Sequence, residues 1–332
     1  HPVGTGPFMF KEWAPDEQVV LQANPTYWEA GLPKLAQLIF RPIPEAFTRV
    51  AAVHTGEIDI AGRLSVDDIS PLEGVDNVQV IHYPVDRVYV MAFNNLTSGV
   101  GQPTEKRAVR LALNYAIDRQ GLLDAFFAGY GQPATGLMTP ANLGYDAALQ
   151  PYPYDPAKAR QLLAEAGYPN GFALRFACPA KVYANFDQVC QAIKGYLQAV
   201  GIQAELELIE ATTFWDLESK KGLPPLAGDG WTGGFGDAYP RLFAALGGAN
   251  APFSAWSDPQ IDAMLSQIRT TLDEEKRAAL YRDLQHYLLD NPPFIYLYKL
   301  ETLEAVQRRV QQYRPRPSEL ASFKATFVND GP

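Results

Sequence analysis

The sequence predicts a mixed α/β fold in two domains, on three observations. Strand-like alternation and helix-like spacing replace one another along the whole chain, so each element needs a partner face of the other kind. Residues 172–177, 186–200 and 203–209 read as strand, helix and strand, a β-α-β unit with a right-handed crossover. The 332 residues exceed one ordinary core, since domains run to roughly 100–200 residues.

In the first segment Phe8, Phe10 and Trp13 alternate before the turn Ala14-Pro15-Asp16-Glu17, and Val19 and Leu21 resume the pattern, which predicts a hairpin. Residues 36–43 form a further strand. Residues 45–55 place Phe47, Val50, Ala51 and His54 at helical spacing and stop at Gly56. Short strands follow at 58–61, 78–83 and 87–93. A helix over 105–117 sets Val109, Leu113, Ala116 and Ile117 on one side, and Asp155-Pro156 opens another that closes at Gly167. Helices at 259–271 and 274–289 precede a last apolar strand at 294–300. Two punctuated stretches, 97–103 and 291–293, bracket a middle block of domain size. The predicted division is 1–96 plus 295–332 for a main lobe and 97–294 for a second lobe. Two chain crossings between them would form a hinge.

Composition excludes several classes. A net charge of −9 lacks the Lys and Arg excess that a phosphate backbone requires, so no nucleic acid is expected as a partner. No run of about 18 apolar residues spans a membrane. The opening His1-Pro2-Val3-Gly4 has neither the basic start nor the apolar run of a signal peptide. Cys178 and Cys190 are too few for a disulfide scaffold and lack zinc-site spacing. Buried free thiols are the simpler expectation, a disulfide in an oxidising compartment the alternative. None of His1, His54, His82 and His286 belongs to a His-x-x-x-His pair, and no phosphate loop or nucleophile turn is present. The expectation is no metal, no cofactor and no enzyme.

Six motifs then occur in order: Pro2-Val3-Gly4-Thr5-Gly6-Pro7-Phe8; Asn24-Pro25-Thr26-Tyr27-Trp28; Thr48-Arg49-Val50 with Thr55-Gly56-Glu57-Ile58-Asp59; Ala92-Phe93-Asn94-Asn95; the run from Arg107 through Arg110, Asn114 and Asp118 to Arg119; and Tyr154-Asp155-Pro156 with Ala164-Glu165-Ala166-Gly167-Tyr168. The series resembles periplasmic solute-binding proteins for oligopeptides, dipeptides, nickel complexes and glutathione. The resemblance implies a two-lobed, type II periplasmic-binding-protein-like fold of mixed sheets flanked by helices. It also implies an ABC permease as membrane partner, a monomer, and a periplasmic or extracellular location as a lipoprotein or secreted protein. Family members start well upstream of the Gly-Thr-Gly-Pro element, so the expectation is an N-terminally truncated chain whose main lobe lacks strands.

A receptor for peptides needs a carboxylate for the amine, backbone groups for the main chain and roomy aromatic surfaces. Residues 229–240 carry these together: Gly234 and neighbouring glycines for close approach, Asp237 for charge, and Trp231, Phe235 and Tyr239 for surface. The stretch resembles the family's Trp-x-x-Asp-Tyr-x-Asp-Pro region, which implies that Asp237 meets the ligand amine, although Tyr239-Pro240 replaces the usual Asp-Pro. Asn94, ending its strand, either touches ligand or ties the crossover. Tyr296 and Tyr298 share a face by alternation, with Tyr298 the ligand candidate. Arg110 is either an ion-pair partner or a ligand contact. The predicted function is capture of a peptide-like ligand between the lobes for an importer. A sensory domain of a regulator, a nickel-chelate or glutathione-like cargo, and an enzyme built on Asp237 are the competing readings.

Overall fold

The computed structural model describes residues 2–72, 74–233, 236–318 and 321–329. Gly234 and Phe235, two of the predicted ligand residues, lie outside the described residues. Contacts divide the chain into two units, His1–Val85 with Glu301–Pro332, and Asp86–Leu300.

In the first unit the hairpin forms as expected: Phe8–Ala14 pairs antiparallel with Gln18–Ala23, and Asp16 takes the left-handed turn position at φ 63°. Gln37–Phe40 adds a third strand. The Asn24-Pro25-Thr26 turn is closed by the Asn24 side chain, which accepts from the Thr26 N–H at 3.1 Å and donates to the Gly6 carbonyl at 2.9 Å. The helix Ala46–Thr55 ends on Gly56 at φ 78°. Its inward face is Val50, Ala52 and Val53, whereas Phe47 is 81% exposed. Strands Ile60–Leu64 and Val78–Pro84 lie on either side of residues 301–307.

The second unit holds the larger core. Strands run in the order 294–300, Val88–Phe93, Leu226–Trp231, Ala173–Ala180, Gln203–Glu210. Neighbours among the first three are antiparallel and neighbours among the last three parallel, so the sheet is mixed. The β-α-β unit stands where the sequence puts it, with Phe186–Ala199 crossing between Ala173–Ala180 and Gln203–Glu210. Gly171 and Gly201 sit at positive φ where the two strand entries meet. A Cβ on Gly171 would stand 1.8 Å from the Gly201 carbonyl oxygen. Val109, Leu113, Ala116 and Ile117 are all buried, as their spacing predicts. Helices Pro156–Glu165, Pro259–Thr270 and Glu274–Asp290 are each capped by an aspartate: Asp155, Asp258 and Asp273.

Helices Arg119–Phe127, Ala211–Ser219 and Tyr239–Leu246 and the strand Leu226–Trp231 go beyond the sequence reading. The cysteines correct the free-thiol expectation, because Cys178 and Cys190 are bonded to each other. The strand delivers Cys178 to the inner face of the helix that carries Cys190, and both are fully buried. Converting both to serine should lower the unfolding free energy by about 3 kcal/mol, the loop-entropy value for so short a closure. Urea titration of oxidised protein and double variant measures this, and coincident curves would show that the bond adds nothing.

Candidate functional site

The strand Leu226–Trp231 (LAGDGW) organises the site. It pairs along its whole length with Val88–Phe93, Leu226 opposite Phe93 and Trp231 opposite Val88. On its other side it pairs with Ala173–Ala180 only at Leu226–Phe176 and Ala227–Ala177. Beyond those pairs the ladder between the two parallel strands ends, at their carboxyl ends, the end of open α/β sheets that holds ligands. Gly228 and Gly230 let side chains lie against the bare strand. A Cβ on Gly228 would stand 2.9 Å from the Met91 sulfur, and one on Gly230 3.0 Å from Tyr89 and 3.2 Å from Tyr183.

Tyr183 packs against Gly230 at this end, from the turn after Ala173–Ala180. Lys181 and Asn185 bracket it at φ 59° and 56°, and the Asn185 amide donates to the Phe126 carbonyl at 2.8 Å. Its hydroxyl donates to Asp229 Oδ1 at 2.6 Å. The Arg87 guanidinium lies 5.4 Å over its ring. Tyr89, Phe186 and Tyr298 continue the aromatic wall inward, with Tyr89 ring centres 5.2 Å from Tyr183 and 5.1 Å from Tyr298. Burial raises the Tyr183 phenol well above its ordinary range, and the Asp229 carboxylate adds to the effect. Burial likewise raises Asp229, against the pull of Tyr183, the Gly230 N–H and Arg87. Cation, phenol and carboxylate thus lie together at the carboxyl end of the strand, a set of groups able to interact with charge of either sign.

The predicted residues fall in different places. Trp231 is 8% exposed, and its indole N–H has no hydrogen-bond partner among the described residues. Asp237 lies near the surface with both oxygens engaged. Oδ1 accepts from the Tyr281 hydroxyl and, at 2.8 Å, from the Tyr239 N–H; Oδ2 accepts from Arg277 Nε at 2.8 Å and Nη2 at 2.7 Å. Burial works against its charge, but Tyr281, the Tyr239 amide and Arg277 outweigh it and hold the carboxyl below its ordinary range. Tyr239 starts its helix, stacked on Phe243 at 5.8 Å. Asn94 is buried and ties the chain. Its side chain accepts from the Leu96 and Thr97 amides, each at 3.0 Å, and donates to Thr97 Oγ1 at 2.9 Å and to the Lys221 and Leu223 carbonyls.

Tyr298 is fully buried between Tyr89 and Phe127, its hydroxyl without a partner among the described residues. The expectation that Tyr296 and Tyr298 share a face fails. Tyr296 is opposite Val90 and Tyr298 opposite Tyr89, with a register shift between them. One extra residue in a strand sends the next side chain to the other face. Tyr296 accordingly donates to the Leu288 carbonyl while Tyr298 joins the aromatic wall. Arg110 forms no ion pair among the described residues; it donates to the Pro292, Thr104 and Glu105 carbonyls and lies 4.4 Å over Trp256. Sequence spacing does not group Arg87, Tyr183 and Asp229: Asp229 belongs to the Gly-rich segment, and only strand pairing brings the other two to it.

A buried ion pair fixes the edge of this site. Arg241 Nη2 stands 2.6 Å from Asp86 Oδ1, and both side chains are almost fully buried. Asp86 Oδ1 also accepts from Thr139 at 2.6 Å, and the Asp86 carbonyl accepts from Thr232 at 3.0 Å and Arg241 at 2.9 Å. Arg241 further donates to the Leu137 carbonyl at 2.7 Å. Removing one charge strands the other in a dry site. Arg241→Met should therefore cost about 3–5 kcal/mol, and Arg241→Met with Asp86→Asn clearly less than the sum of the two single changes. Thermal and urea unfolding of the four-protein cycle measures this, and additive losses would show that the pair is not energetically coupled.

Among the described residues no group of His, Cys, Asp and Glu is placed to hold a metal ion, and no helix is long and apolar enough to cross a membrane. Residues 1–253 match the bacterial extracellular solute-binding proteins, family 5 Middle. The glutathione-binding protein GsiB of Pectobacterium atrosepticum is 32% identical over 334 residues, which cover 98% of this chain and 64% of GsiB. HbpA2 from Haemophilus parasuis superposes with a TM-score of 0.84 at 28% identity, over 98% of this chain and 64% of its own. The ABC transporter-associated periplasmic binding protein DppA from Helicobacter pylori, in complex with peptide STSA, gives 0.80 at 25% identity, over 99% and 64%. This chain thus spans less than two thirds of the length of these relatives. The α/β fold expected from the sequence is that of the periplasmic binding proteins. With three quarters of its residues matched and its fold shared, the chain belongs to the bacterial extracellular solute-binding proteins, family 5.

Proposed function

We propose that the protein is the substrate-binding component of an ABC importer and captures a short peptide or glutathione-like molecule for delivery to a membrane permease. The observation that supports this is the convergence of Arg87, Tyr183 and Asp229 beside aromatic side chains at the carboxyl ends of Leu226–Trp231 and Ala173–Ala180. Such a ligand offers carboxylates, an ammonium and peptide groups, and each has a counterpart there. The relatives add support: one is named for glutathione and another was solved with a peptide. A disulfide suits the oxidising periplasm or cell exterior. In this reading the protein works as a monomer without catalysis, and residues 231–239, with Gly234 and Phe235, supply the surface for the ligand main chain. Asp237 shapes that segment from within, through Arg277 and Tyr281, while Asn94 and Tyr298 support the strands beneath.

Native mass spectrometry of the protein with glutathione and with a mixture of tri- and tetrapeptides tests the proposal. One ligand per chain is expected, with affinity falling at least tenfold in Trp231→Ala and in Tyr183→Ala as measured by calorimetry. Absence of any adduct, or adducts unaffected by both changes, would overturn it.

A further inference from the structure

The disulfide closes the loop that carries Tyr183. Towards Leu226–Trp231 the strand Ala173–Ala180 is paired only through Phe176 and Ala177, and Cys178 is the next residue. Where that ladder ends, the bond from Cys178 to Cys190 ties the chain to the helix Phe186–Ala199 instead. Tyr183 stands near the middle of the closed loop, residues 179–189. Lys181 and Asn185 on either side are left-handed, at φ 59° and 56°, a conformation that residues with a Cβ keep only where their surroundings hold it. Inside the loop the Lys181 N–H donates to Asp187 Oδ1 at 3.0 Å and the Phe186 N–H to the Tyr183 carbonyl at 3.2 Å. Gly228 and Gly230 open one face of Leu226–Trp231 to this loop. A Cβ on Gly228 would stand 3.0 Å from the Cys178 sulfur and 3.1 Å from the Phe186 ring, and one on Gly230 3.2 Å from the Tyr183 ring. Phe186 meets Tyr183 edge to face at 5.5 Å, so disulfide, Phe186 and Tyr183 follow one another along the bare strand towards its carboxyl end. Phe186 and Cys190 are four residues apart on one helix face, so the bond that pins Cys190 also pins Phe186.

We infer that Cys178 and Cys190 are positioning residues for the proposed ligand site: their bond fixes the loop from which Tyr183 meets Asp229 and Arg87, and ligand affinity depends on the bond through Tyr183. This deepens the function proposed above and rests on it for the ligand. A covalent tie at both ends of a short loop removes conformations before any ligand arrives. A binding group already held in place then loses less freedom when the ligand binds, and affinity rises by that difference. Without the tie, Tyr183 is left with its hydroxyl bond to Asp229 at 2.6 Å, its ring contacts and the Asn185 amide on the Phe126 carbonyl at 2.8 Å. The first of these is the contact nearest the proposed ligand. Cys178 and Cys190 are both fully buried, out of reach of dissolved thiols, so the bond is a fixed brace and not a switch.

Calorimetry with S-methylglutathione, which carries no thiol to exchange with the bond, reads the dependence. Cys178→Ser with Cys190→Ser should bind at least tenfold more weakly than wild type. The same two changes in a Tyr183→Ala background should alter affinity less than twofold, because the group that the bond positions is gone. Wild-type affinity in the folded double variant, or an equal loss in both backgrounds, would overturn the inference while leaving the function intact. Should the serine pair not fold, Cys178→Ala with Cys190→Ala buries no hydroxyl and completes the same cycle. Failure of wild type to bind would instead count against the function. The hold on the loop is then decided without ligand, by hydrogen exchange read by mass spectrometry under conditions where both proteins are folded. Amides of residues 181–187 should exchange at least tenfold faster without the bond, while those of the helix Pro259–Thr270 keep their wild-type rates. Unchanged protection of residues 181–187 would refute the inference.

Discussion

Arg241 and Asp86 meet with their side chains almost fully out of water, and the edge of the candidate site is assembled around that contact. Asp86 directly precedes Arg87, which lies over Tyr183, and the Asp86 carbonyl holds Thr232, which directly follows Trp231. Arg241 carries the same grip to residues Leu137 and Thr139 through a carbonyl and the shared carboxylate oxygen. A single guanidinium thereby sets the start of one central strand relative to the end of its neighbour. Its planar fork suits this use, since several acceptors can be satisfied at fixed angles in a site where an unpaired charge would be very costly.

The same economy explains the family's sequence signature. Asn114 bridges the Arg107–Tyr115 helix to the strand that begins at Phe294, donating to the Phe294 carbonyl at 2.9 Å and accepting from the Tyr296 N–H at 3.2 Å. Arg119 donates to the Tyr296 and Asn114 carbonyls, and Asn95 pairs with Ser257 like a strand neighbour, donating to its carbonyl at 2.8 Å and accepting from its N–H at 2.7 Å. These polar residues close contacts between segments far apart in sequence. They tie the fold together and stand apart from the cluster of Arg87, Tyr183 and Asp229. A motif strong enough to identify a family can therefore say little about its cargo.

Local rules read the regular elements well. Asp-Pro and Asp caps opened three helices where expected, Gly56 stopped another at φ 78°, and the β-α-β unit matched nearly residue for residue. The strand Leu226–Trp231 escaped because two glycines and an aspartate in six residues read as a turn, although those glycines are there to admit Tyr89, Tyr183 and Met91 against the strand. Tyr296 and Tyr298 were assigned one face because a register shift leaves no mark on alternation.

What the sequence determined by itself was the α/β class, the order of most elements and the family. Each of these rests on spacing within a few residues, through caps, alternation and helical period. The tertiary structure decided which groups meet. Tyr183 reaches Asp229 because the ladder between two parallel strands ends after two pairs, Cys178 reaches Cys190 because a strand and the next helix pack face to face, and Asp237 is occupied because Arg277 and Tyr281 arrive from a helix forty residues on. Contacts of that range depend on register and packing direction, which no local pattern encodes.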